Sequence, residues 1–234
     1  MQWSLATQKR IIAVTGHYGS GKTEFAVSLA LWEAGQAERR FARLAVIDLD
    51  IANPYFRSRE RRGLLEEAGV AVYGGAYREE ITAELPALGA NAKAPLEDAG
   101  CFAIVDLGGN GEGAKVIHQF HSYFEGDQHE VYCVVNANRP DTATVEGALE
   151  HIYSIQAATG LRVTGIINNC HLLRETTAQT VLKGHALCEK VQARLQLPIV
   201  CDCYPAPLVQ ARELQGIANP FPLGMYMRET WLDK

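Results

Sequence analysis

Seven short apolar runs punctuate this chain, and none of them alternates polar with apolar residues. They cover residues 10–15, 43–50, 70–73, 101–107, 130–136, 162–168 and 198–203. A strand that is apolar on both faces must be covered on both faces, which is the condition of a parallel sheet between two layers of helices. Segments with helical spacing lie between the runs, at 24–34, 58–68, 114–124, 144–159, 176–196 and 208–214. Strand and helix in alternation imply βαβ units with right-handed crossovers. The expected fold class is therefore α/β, a three-layer arrangement with a mostly parallel sheet of about seven strands. A length of 234 residues, 47% of them hydrophobic, suits one such domain over 1–234. Residues 74–100 carry Gly74, Gly75, Pro86, Gly89 and Pro95 and read as a loop with a short helix, a natural lid or recognition region. Pro220 and Pro222 make 219–224 irregular, and 225–232 allows one last turn or two.

After the first run come Gly16-His17-Tyr18-Gly19-Ser20-Gly21-Lys22-Thr23, and then a helical segment that stops at Gly35. Strand, glycine loop and helix with the spacing G-x-x-x-x-G-K-[ST] form a phosphate cradle. The glycines let backbone N–H groups turn onto the phosphates, Lys22 reaches the β and γ oxygens, and the Thr23 hydroxyl ligates Mg²⁺. The N-terminus of the helix adds positive potential.

Ligands of open α/β sheets bind beyond the C-terminal ends of the strands. There the chain places Asp48-Leu49-Asp50, Asp106-Leu107-Gly108-Gly109, Asn136-Ala137-Asn138-Arg139-Pro140, Asn168-Asn169-Cys170-His171 and Cys201-Asp202-Cys203-Tyr204-Pro205. Asp106 can hold Mg²⁺ directly or through water, and the glycines after it let the backbone approach and register the γ-phosphate. Asp48 and Asp50, two residues apart, point the same way. One suits a metal through water, and the other suits orienting the attacking water or accepting its proton.

Together these segments resemble the MinD/ParA-like P-loop ATPases and their relatives, the cobyrinic acid amide synthases and dethiobiotin synthetase. The resemblance runs through residues 16–23, Asp48-Leu49-Asp50-Ile51-Ala52-Asn53-Pro54, Asp106-Leu107-Gly108-Gly109, Asn168-Asn169 and the proline-bearing end of the last run. It implies an ATPase or ATP-dependent switch with Mg-ATP on Lys22 and Thr23. Asp50 would position the hydrolytic water, Asp106 would support the metal, and Asn168 or Asn169 with Tyr204-Pro205 would contact adenine. MinD/ParA proteins carry a second lysine early in the loop that crosses a dimer interface. Here His17 stands there, and a neutral imidazole is a poor substitute for a permanent cation. That moves the chain toward the synthetase relatives, in which ATP activates a small-molecule substrate, and leaves a homodimer or another protein partner open. The sequence 228–234 is too short and too balanced in charge for the amphipathic basic helix that ends MinD.

The loop also resembles nickel-insertion GTPases. Guanine readers use Asn-Lys-x-Asp, whose Asp accepts from two guanine donors; here His171 occupies the Asp position, which favours ATP over GTP. Cys201-x-Cys203 with Cys170-His171 is the alternative, a Zn²⁺ or Ni²⁺ site, against buried structural thiols. A net charge of −5 gives no general nucleic-acid footprint, and Arg57, Arg59, Arg61 and Arg62 alternate with acids as on a solvated helix face. No run is long enough to span a membrane, and no secretory signal is visible, so the six cysteines are expected reduced and the chain cytoplasmic.

Overall fold

The computed structural model describes residues 3, 5, 7–50, 61–74, 87–109 and 115–228. Expectations that rest on Ile51-Ala52-Asn53-Pro54, Arg57, Arg59, residues 75–86 of the expected lid, and 229–234 lie outside the described residues. The strands are β1 (Ile11–Gly16), β2 (Arg43–Leu49), β3 (Val70–Gly74), β4 (Cys101–Leu107), β5 (His129–Val135), β6 (Gly165–Asn168), β7 (Ile199–Pro205) and β8 (Pro220–Leu223). They form one sheet in the order β3-β2-β4-β1-β5-β6-β7-β8, with every neighbouring pair parallel. The chain runs outward from β1 in one direction through β2 and β3, returns to β4, and then runs outward the other way. The order thus reverses at β1, which places the ligand crevice at its C-terminal end, between β4 and β5.

Helices α1 (Lys22–Ala34), α2 (Arg62–Glu67), α3 (Ala87–Glu97), α4 (Val145–Thr159) and α5 (Ala178–Leu195) cover both faces. On one face Phe25, Val27 and Leu29 of α1 pack with Leu65 of α2, Val14, Phe102 and Phe221. On the other, Leu96, Ala148, Ile152, Cys188 and Val191 pack with Ala13, Val105 and Val135. The alternation of inward residues along β1 and β4 supplies both layers, which explains why these strands lack a polar face.

The sequence expectation missed an eighth strand. Two prolines cannot continue a helix, but Pro220 and Pro222 are two residues apart, so their missing N–H groups lie on one side. On an edge strand that side faces away from the ladder, and β8 pairs with β7 through the residues between. The helix expected at 208–214 shrinks to a turn at Ala211–Glu213, whose local needs are met when Gln210 N–H donates to Glu213 Oε2 at 2.7 Å. The helix expected at 114–124 is a 3₁₀ segment, Lys115–Phe124. Its three-residue turn lines up Ile117, Phe120 and Tyr123 toward the core and toward Glu97, which accepts from the Tyr123 hydroxyl at 2.6 Å.

Candidate nucleotide site

Two of the long helices begin with threonine caps: Thr144 Oγ1 accepts from Gly147 N–H at 3.1 Å, and Thr177 Oγ1 from Thr180 N–H at 3.3 Å. Helix α1 has no side-chain cap. Gly21 stands before it at φ 84°, in the left-handed region. The first-turn amides of α1 are left for something other than a side chain. Gly16 and Gly19 also have positive φ, 153° and 70°. At Gly16 a Cβ would lie 2.6 Å from the Val134 carbonyl oxygen, and at Gly21 it would collide with the Asn169 amide.

Around this loop the strand ends deliver buried charge. Lys22 Nζ lies 2.8 Å from Asp50 Oδ2, and both side chains are almost fully enclosed. Asp48 Oδ1 accepts from Asp50 N–H at 3.1 Å. Asp48 and Asp106 are partners in the β2–β4 register, so the two carboxylates stand on adjacent strands at one level. Asp106 is fully buried, and the Thr23 hydroxyl beside its carboxylate favours the charged form; among the described residues the buried Thr15 and Ser20 hydroxyls have no hydrogen-bond partner. Burial pushes the Asp106 carboxyl up to about 7; Asp48 and Asp50 add to the rise, and Lys22 opposes it. A divalent cation fits this donor set, since hard oxygen ligands are present and buried. Gly109 closes the turn after Asp106 directly onto the loop, where a Cβ would collide with the Gly16 carbonyl.

The structure brings Lys22, Thr23, Asp48, Asp50 and Asp106 together as the sequence anticipates. The expected base contacts divide. Asn169 Nδ2 donates to Ser20 O at 2.8 Å and lines a cavity of about 200 Å³, and Pro205 lines it too. Asn168 does not reach the cavity: its amide donates to Asp202 Oδ1 at 2.6 Å and to Val181 O at 3.0 Å, and its oxygen accepts from Cys170 N–H at 3.1 Å. Tyr204 packs in a small cluster with Val181, Val209 and Leu214. Strand alternation puts neighbours on opposite faces, so one of Asn168 and Asn169, and one of Tyr204 and Pro205, had to turn away.

His17 folds back onto its own chain, with Nε2 3.3 Å from Asp141 Oδ2 and Nδ1 3.0 Å from Tyr18 O. Its ring meets that of His151 at 5.3 Å, and burial lowers His151 to about 4. Tyr18 is exposed. For the metal-handling alternative, Cys201 and Cys203 are buried in the α1-side core, burial drives the Cys203 thiol well up, and neither joins a group of three or more His, Cys, Asp or Glu side chains placed to hold a metal among the described residues. All six cysteines are buried and free. No helix among the described residues is long and apolar enough to cross a membrane.

Sequence reasoning missed several residues that line the cavity. Arg139 Nε donates to Gly19 O at 2.8 Å, and Glu24, Leu173, Met225 and Met227 also face the space. Arg139 stood in a rim segment already noted, so its cation beside a glycine loop was the available signal. Nothing local marks the methionines.

No family model and no curated protein matches the sequence. Solved structures do. The cell division protein FtsY of Thermotoga maritima is similar over 83% of this chain and 61% of its own, at 19% identity and a TM-score of 0.56. For the chloroplast FtsY of Physcomitrella patens the values are 85%, 59%, 15% and 0.56. For the signal recognition particle receptor FtsY of Elizabethkingia anophelis in complex with GDP they are 84%, 57%, 16% and 0.52. The chain spans about three fifths of the length of these structures. At such identities the likeness is one of fold, and the fold is the α/β, parallel-sheet fold of P-loop NTPases.

Proposed function

We propose that this chain binds a nucleoside triphosphate with Mg²⁺ and hydrolyses it, ATP in preference to GTP, as a nucleotide switch of the MinD/ParA-like class. One observation carries the reading: buried hydroxyls and a buried carboxylate, with the Thr15 and Ser20 hydroxyls unpaired among the described residues and Asp106 met by Lys22 and Thr23, surround a glycine loop of phosphate-binding sequence. Buried polar groups are ordinarily satisfied, so a set of orphans in one place marks a ligand's position. Asp106 and Thr23 would hold the ion, with Asp48 behind them, and the ion would neutralise charge on the phosphates.

The chain's own residues do the rest. The amides at the start of α1 bind phosphate oxygens. Lys22 turns from Asp50 to the phosphates, and Asp50 orients water and accepts its proton. The Gly109 turn rests on the loop, so occupancy of the γ position reaches the segment after Asp106.

The preference for adenine rests on Glu24. Among the described residues it is the one carboxylate lining the cavity, and both its oxygens are already taken, by Ser28 Oγ, Tyr226 N–H and Met227 N–H. No carboxylate remains to accept the paired donors of guanine. The GDP complex of the Elizabethkingia structure favours the second reading, GTP.

Phosphate release with Mg-ATP against Mg-GTP, read beside mass by light scattering, tests both. ATP-selective turnover is expected, and a rise to twice the mass would add a homodimer. GTP-selective turnover transfers the function to the second reading. Binding of neither nucleotide refutes the proposal. ATP binding without turnover would instead support the synthetase alternative, with a small-molecule substrate still to be supplied.

A further inference from the structure

The cavity beside the phosphate loop has two unlike linings. Its polar lining includes Gly19, Gly21, Lys22 and Thr23 of the loop, and its apolar lining includes Pro205, Leu223, Met225 and Met227. The apolar methionines belong to a short strap, residues 224–227, that follows the edge strand β8. Its shape is fixed. Met225 sits at φ 59°, a conformation rare for such a side chain, and a Cβ on Gly224 would collide with the Tyr226 ring.

What fixes the strap is Glu24. Tyr226 N–H donates to Glu24 Oε1 at 2.9 Å and Met227 N–H to Oε2 at 2.8 Å. Ser28 Oγ donates to the same carboxylate at 3.1 Å and accepts from Gly224 N–H at 3.3 Å. The three bonds to the carboxylate are charge-assisted, the stronger kind. The position of this carboxylate is otherwise unfavourable: it adjoins Thr23, in the first turn of the helix that faces the phosphates, where like charge weakens a polyanion's binding. A carboxylate retained there must return something that the phosphates do not supply.

We propose that the strap is the base-recognition wall of the site and that Glu24 is the specificity-determining residue that holds it. The ligand class is a purine nucleotide, so this inference rests on the nucleotide reading above. Thioethers suit the face of a flat aromatic ring, and Asn169 and His171 line the same cavity. The phosphates bind to the loop whether or not the strap is in place; the base binds only against the strap.

Calorimetric titration of the full chain with Mg-ATP and with Mg-tripolyphosphate separates the two linings, because tripolyphosphate has no base. In Glu24→Gln one strap amide loses its acceptor and the remaining bond loses its charge. ATP affinity should fall by about tenfold or more, while tripolyphosphate affinity holds or rises as the like charge disappears. The variant Met225→Ala, a side chain outside the buried core that lines the cavity, keeps the latch and should lower ATP affinity alone. Equal changes for both ligands, or unchanged ATP affinity in both variants, overturn the proposal. Wild-type protein that binds tripolyphosphate as tightly as ATP overturns it too, while sparing the phosphate site. Wild-type protein that binds neither ligand removes the nucleotide reading itself.

Discussion

Replacing Asp106 with Asn should stabilise the metal-free protein at pH 8 and weaken its hold on Mg-nucleotide. The carboxyl is fully buried, and burial, opposed by Lys22 and the Thr23 hydroxyl and reinforced by Asp48 and Asp50, moves it from 3.8 to about 7. In the unfolded chain this group releases its proton near 3.8; in the folded chain it keeps it until about 7. Between those values the unfolded state holds fewer protons, so stability falls as pH rises from about 4 to about 7 and stays low above. At about 1.4 kcal/mol per pH unit, the whole fall is on the order of 4 kcal/mol. Asn has no charge to bury, so that fall should vanish. The Asn amide brings its own cost, an unpaired donor worth about 1–3 kcal/mol. That cost is the same at pH 4 and pH 8 and cancels from the difference between them. Urea denaturation in a chelator, on wild type and Asp106→Asn at both pH values, measures this difference. Parallel pH dependence in the two proteins would refute the argument, and so would undiminished Mg-ATP affinity in the variant.

Gly109→Ala drives a methyl into the Gly16 carbonyl, backbone against backbone, and should cost about 1–3 kcal/mol with a clear loss of ATP affinity; urea midpoint and titration check the two parts. His151 is held neutral by burial, and the nearby His17 adds to the effect, with a value near 4 against 6.5 in the open chain. Stability is therefore fully present above about 6.5 and declines as pH falls toward 4, by up to about 3 kcal/mol. His151→Phe should flatten that acid limb in a thermal-melt series from pH 7 to pH 4.

Much of this site was legible because its residues are local in sequence. The loop at 16–23 and the strand-end acids Asp48, Asp50 and Asp106 each carry their chemistry within a few residues, and the apolar runs fix that their ends share one rim. The parallel sheet followed from strands with no polar face. What stayed hidden depends on partners far along the chain. Trp3 packs against Trp32 at 4.6 Å between ring centroids and against Phe221 at 4.3 Å, a contact that no local pattern announces. β8 escaped notice because proline argues against most regular structure, and only its place at the sheet edge makes it acceptable. Asn168 and Asn169 could not be told apart without knowing which face Asp202 and Val181 occupy. Glu24 looks in sequence like an ordinary first-turn acid that complements the helix dipole; its real partners, Tyr226 and Met227, lie some two hundred residues away.

The charges themselves argue for a paired ligand. Asp48, Asp50, Asp106 and Lys22 are all buried within one small region, three acids to one base. An interior of low dielectric resists such an excess, which raises the Asp106 carboxyl to about 7. A polyphosphate arriving alone would add negative charge to that region and gain only the loop amides and Lys22. A cation arriving alone would displace the Asp106 proton and meet that carboxylate and Thr23, with Asp48 behind them, but would lack the phosphate oxygens that complete its coordination. Arriving together, each supplies what the other lacks: the cation neutralises the acids, and the phosphates complete its coordination and draw Lys22 from Asp50. In the proposed hydrolysis that release would turn Asp50 from a structural partner toward the role of a base, so the charge arrangement that resists either component alone would also tie turnover to the arrival of both.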